Sequence, residues 1–107
     1  MSPKRQYELR YAPETLSHLD AIERKYHRLI EKMLDQQLCY TPERVTRNRK
    51  LLEHPGPFGA TWELRFGLKN CFRIFYEVHA GAQTVEILAI GVKVRDRLFI
   101  GREELEG

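Results

Sequence analysis

Long apolar runs are missing from this chain: the longest fall far short of the roughly 20 residues that cross a bilayer. The charged start, Met1-Ser2-Pro3-Lys4-Arg5, has no apolar segment behind it, so the reading is an untargeted cytoplasmic protein. Cysteine is scarce as well. Cys39 and Cys71 are the only two, neither in a CxxC pair nor near a histidine at ligand spacing, which argues against both a disulfide framework and a zinc site. Small, semi-buried residues are the plain expectation for them. His18, His27, His54 and His79 fall on helix, loop and turn without paired spacing, so neither a metal nor a catalytic triad is expected. Internal repeats and low-complexity stretches are absent, and no cofactor is implied.

What remains is ordinary folded-protein material. Apolar residues make up 42% of the 107 residues and charged ones 31%, which suits one domain over 1–107 with a single modest core. The net charge of +3 is only mildly basic. Any case for a polyanionic partner must therefore come from where the charges sit.

Gln6 to Tyr11 places Tyr7, Leu9 and Tyr11 on one face, a period of two that predicts a first strand. Pro13 suits a first helical position and Glu14 the first turn. Leu16, Leu19, Tyr26, Leu29, Ile30, Met33, Leu34 and Leu38 then form a helical stripe whose step slips between Ile22 and Tyr26. One bent helix or two helices satisfy that pattern. Thr41-Pro42 ends it. Residues 40–60 hold three prolines, two glycines and a basic cluster, a loop too long to be filler.

Residues 61–66, 71–78 and 84–92 read as three strands joined by short polar turns, an antiparallel meander. Even positions Trp62, Leu64, Phe66, Phe72, Ile74, Tyr76, Val78, Leu88 and Ile90 supply the core face, and the odd face carries Glu63, Arg65, Arg73 and Glu77. The expected fold is a small α+β domain. Its antiparallel sheet, the N-terminal strand plus the meander, is packed on one face by the N-terminal helices.

Two basic clusters flank the meander: Arg44, Arg47, Arg49 and Lys50 before it, and Lys93, Arg95, Arg97 and Arg102 after it. Converging on the odd face with Arg65 and Arg73, they would form a positive concavity suited to a polyanion. Metal-free RNA cleavage needs a base for the 2′-hydroxyl, cations for the charged phosphorane, and often an acid for the leaving oxygen. Glu63 or a lysine is the candidate base, Arg65 and Arg73 the phosphate ligands, and Lys93 a further cation or acid. Arg47, Arg49, Lys50, Arg95 and Arg97 would hold the RNA backbone. Phe99 would stack on a base or pin the tail to the sheet. The plain alternative is that the strand arginines are solvated or paired with Glu63 and Glu77.

The segments "TRNRKLLE", "WELRFG", "CFRIFYEV" and "ILAIGVKVRDRLFIG" together resemble the RelE/ParE family of type II toxins, and the likeness runs through nearly the whole chain. It implies a small α+β toxin neutralised by a cognate antitoxin protein. The RelE-like branch cleaves messenger RNA on the ribosome without metal; the ParE-like branch poisons DNA gyrase. By this resemblance Arg73 matches the strand arginine used on the scissile phosphate, Arg65 a basic position on the preceding strand, and Lys93 a basic residue after the last one. Phe99 stands where RelE-like ribonucleases present a C-terminal tyrosine or histidine, and Glu63 where some members have lysine.

Overall fold

The computed structural model describes residues 6–105. Its elements are β1 (Glu8–Tyr11), α1 (Thr15–Asp20), α2 (His27–Leu38), β2 (Arg49–Leu51), β3 (Trp62–Phe66), β4 (Phe72–His79), β5 (Thr84–Val94), β6 (Arg97–Ile100) and β7 (Glu103–Leu105). The helical region is two helices. Where the stripe slips, a short 3-10 turn at Arg24–Tyr26 separates them, and His27 Nε2 donates to the carbonyls of Leu19 (2.8 Å) and Ile22 (2.9 Å). That imidazole ties the start of α2 to carbonyls at and just past the end of α1, of which Leu19 also accepts the Ile22 N–H at 2.9 Å. Along α2, Ile30, Leu34 and Leu38 are buried at four-residue steps, the face that meets the sheet.

The fold is α+β, with one sheet in the order β2-β3-β4-β5-β6-β7 whose neighbours all run antiparallel. β1 joins β5 in parallel, Glu8 opposite Thr84 and Tyr11 opposite Ile87. Since β4 covers the other side of β5, β1 and β6 share one edge of it at different heights. Between them the N–H of Ile90 faces a notch, and His18 of α1 fills it, Nδ1 accepting that hydrogen bond at 3.2 Å.

The main core lies between helices and sheet, built from Trp62, Leu64, Phe66, Phe72, Ile74 and Tyr76 against Ile30, Leu34 and Leu38. The even-position rule holds along β3 and β4 but fails in β5. Phe75 pairs with Ala89 while Tyr76 pairs with Ile87, so Leu88 is an extra residue in a β-bulge. The parity inverts there. Val85 and Ile87 take the helix side, both fully buried, and Leu88 packs instead against a second cluster on the opposite face.

That opposite face is also not the solvated surface that its charges suggest. Phe75, Ala60, Ala89 and Ile100 are buried on it, with Leu52, Leu98 and Leu105 packed alongside. The long loop supplies part of the cover. A Cβ at Gly56 would stand 3.5 Å from the Phe75 ring, and the Phe58 ring lies 5.7 Å from His18 beyond β5. The length of residues 40–60 thus has a structural use: the segment lies over the back of the sheet. No helix is long and apolar enough to cross a membrane among the described residues.

Candidate anion-binding groove

An open groove of about 1130 Å³ lies at the end of the sheet where β4 begins and β5 and β6 turn. Ile22, Tyr26, Leu29, Phe72, Val92 and Phe99 give it an apolar lining, with the Tyr26 and Phe72 rings 5.3 Å apart. Lys69, Arg73, Lys93, Arg95 and Arg102 also line it, against a single acid, Glu23. The cations come from three separate turns and strand ends, so the topology gathers charge that is dispersed in sequence. Lys69 and Arg95 hold left-handed backbone at φ 55° and 58°, a region where glycine or asparagine is the usual occupant.

Arg73 and Arg65 face each other across β4 and β3. Like charges in that position repel, and Glu63 lies between them. Its Oε1 meets Arg65 Nε at 2.5 Å and its Oε2 meets Arg73 Nη1 at 3.5 Å. Arg73 also donates from Nε to the Asn70 carbonyl at 2.8 Å. The side chain of Glu63 is 7% exposed, Arg73 10% and Arg65 35%, so the carboxylate lies beneath and Arg65 outermost. A buried carboxylate with both oxygens on arginine is badly placed to take a proton from a 2′-hydroxyl. The geometry makes Glu63 a counter-ion rather than a base.

The remaining candidates separate. Lys93, Arg95 and Phe99 meet Arg73 at the groove. Phe99 pairs with Val92, on the helix-side parity of β5, while Arg73 pairs with Gly91. Lys50 is exposed and pairs with Glu63, so it shares the face of Arg65 and Arg73 without lining the groove. Arg47 is exposed on the loop before β2, outside the groove. Arg97 is also outside it, 3.6 Å from Glu104 in an exposed pair.

Arg49 is misread by its sequence neighbourhood, because it is buried. Its Nη1 donates to the carbonyls of Gln37 (2.8 Å) and Thr41, and its Nε to Thr46 Oγ1 (3.4 Å), so it ties the end of α2 to β2. Burial draws its pKa down, the Tyr76 hydroxyl opposes that, and Arg44 adds to it. A buried guanidinium engaged through Nε and Nη1 in this way is a structural clamp rather than a surface contact for RNA. Tyr76 is fully buried beside it and donates to the Pro42 carbonyl at 2.9 Å; desolvation, more than any neighbour, raises its pKa.

Lys69 was missed in the sequence because the turn 67–70 reads only as a polar connection. Its position between two strands whose ends carry Arg65 and Arg73 is the signal that was there to use. Among the described residues no group of three or more His, Cys, Asp or Glu side chains is placed to hold a metal ion. No protein-family model matches the chain, and no curated protein matches it.

Proposed function

We propose that the chain is the toxin of a type II toxin–antitoxin pair, of RelE/ParE type, which cleaves messenger RNA on the ribosome without a metal ion. The observation that carries this reading is the groove, where five cations gather against one acid beside an apolar, partly aromatic lining. Single-stranded RNA asks for that combination, with cations along its backbone and a flat apolar surface for an unstacked base. In the reaction the 2′-oxygen attacks the adjacent phosphorus and the 5′-oxygen leaves, giving a cyclic phosphate and a 5′-hydroxyl. Arg73, with Arg65 and Lys93, would stabilise the phosphorane charge, and Phe99 would stack on a base. With Glu63 engaged by two arginines, Lys93, which lines the groove with Arg73, would serve in proton transfer. The cognate antitoxin would cover the groove with an acidic, amphipathic segment.

A second reading, a ParE-like inhibitor of DNA gyrase, draws on Phe99, whose ring has no proton to give to a leaving oxygen. Induction of the chain in bacteria, with translation and DNA supercoiling followed separately, tests both. The first reading expects ribosome-bound messenger RNA to be cut, with chelator making no difference. Lost supercoiling with intact RNA moves the protein to gyrase, and harmless expression removes the toxin reading altogether.

A further inference from the structure

The cluster of Glu63, Arg65 and Arg73 is built in an unusual order of depth. The anion is at the bottom, nine-tenths buried Arg73 beside it, and Arg65 outermost. Among the described residues Arg65 makes its one side-chain bond through Nε, leaving both Nη groups without a protein partner, and Arg73 leaves Nη2. Lys50 stands opposite Glu63 on the next strand, so a single carboxylate faces more positive charge than it neutralises. We infer that Glu63 is a positioning residue, whose buried carboxylate holds the Nε edge of Arg65 and the Nη1 of Arg73 so that their free amino groups form one preformed seat for a phosphate oxyanion. This rests on the RNA-cleaving reading above and adds the reason why two arginines can stand opposite each other without diverging.

A preset fork gives more transition-state stabilisation than two mobile ones, because the orienting cost is met in folding rather than at the reaction. A general base and a positioning anion both matter for turnover, but they differ in pH dependence. Loss of a base removes the ascending limb of the pH–rate profile. Loss of a positioning anion lowers the whole profile and leaves its shape.

Two measurements on the full chain test the inference. In the first, inorganic phosphate is titrated while the Nε–H signals of Arg65 and Arg73 are followed by NMR. Both signals are expected to move with one common midpoint in wild type, and in Glu63→Gln to lose their distinct positions. Separate midpoints, or no movement, overturn the seat whatever the RNA assay gives. In the second, cleavage of ribosome-bound messenger RNA by Glu63→Gln is compared with wild type. Turnover is expected to fall about 10- to 100-fold, with KM unchanged or lower and the pH profile unaltered in shape, as for a misaimed catalytic group. Disappearance of the ascending limb overturns positioning in favour of a base. Should Glu63→Gln fail to fold, Arg65→Lys keeps the charge without the fork, and the Arg73 signal is then expected to need about tenfold more phosphate; an unchanged midpoint overturns the seat. If wild type cuts no RNA yet both signals share one midpoint, the RNA-cleaving reading falls and the phosphate seat stands.

Discussion

Single side chains here serve stability and charge at once, and mutation separates the two. Arg73 is buried and bonded to Glu63 and Asn70, so Arg73→Ala is expected to cost about 1–3 kcal/mol of stability as well as any cleavage. Arg65 is a third exposed, and Arg65→Ala should cost less stability than Arg73→Ala while still lowering cleavage. Denaturant titration beside the cleavage assay separates the effects, and an Arg65→Ala loss as large as that of Arg73→Ala would contradict the order of depth. Lys69 gives the opposite pairing. Its left-handed backbone suits glycine better, so Lys69→Gly should leave stability unchanged or raise it by up to about 1 kcal/mol. RNA binding should weaken at the same time. A gain in melting temperature without loss of RNA affinity would show that the groove does not use this lysine.

At the level of elements, α1 is tied to the sheet edge through an imidazole that titrates. Burial lowers the His18 pKa below its usual 6.5, with Glu14 pulling weakly the other way; Asp20, Arg102 and Glu103 line the same cleft. The unfolded chain therefore takes up this proton first. Stability from His18 is complete above about pH 6.5 and declines as pH falls below that, until the folded pKa is reached. His18→Gln should flatten the slope just below about pH 6.5, measured by denaturant melts, whereas an unchanged slope would assign it to carboxylates. The bulge in β5 gives the second element-scale test. Ile87→Ala should cost about 2–5 kcal/mol and Leu88→Ala clearly less, because Ile87 is fully buried on the helix side and Leu88 only partly buried on the other. Strict alternation would reverse that order.

For the whole molecule, the charged groove predicts a salt response that net charge of +3 does not. Affinity for a single-stranded RNA oligonucleotide should fall by about tenfold or more between 50 and 200 mM salt, each phosphate contact contributing to the slope. A flat response in a binding titration would deny the groove a polyanion. The fold was legible in the sequence where one parity was purely apolar, as from Trp62 to Tyr76, which places Leu64 and Ile74 in the core and Glu63 and Arg73 opposite. It was illegible where both parities are apolar. Ile87-Leu88-Ala89-Ile90 carries no mark of its bulge, and Leu98-Phe99-Ile100 hides β6 inside what reads as a basic tail. β2, at three residues, is too short for a period to show. Of the candidate site, the residue types were legible but their depth was not, since an arginine clamp such as Arg49 and a solvent arginine such as Arg47 look alike until their partners are placed.

The parallel pairing of β1 with β5 also sets a timetable. Glu8 is made long before its partner Thr84, so β1 has nothing to bond with while the chain between them is synthesised. The groove is equally late, because its wall runs from Ala21 to Arg102. A nascent chain cannot hold the assembled site while most of it is still being made. For a protein proposed to attack translation, this order of assembly keeps the producing ribosome safe from its own product until the segment through Arg102 has been made.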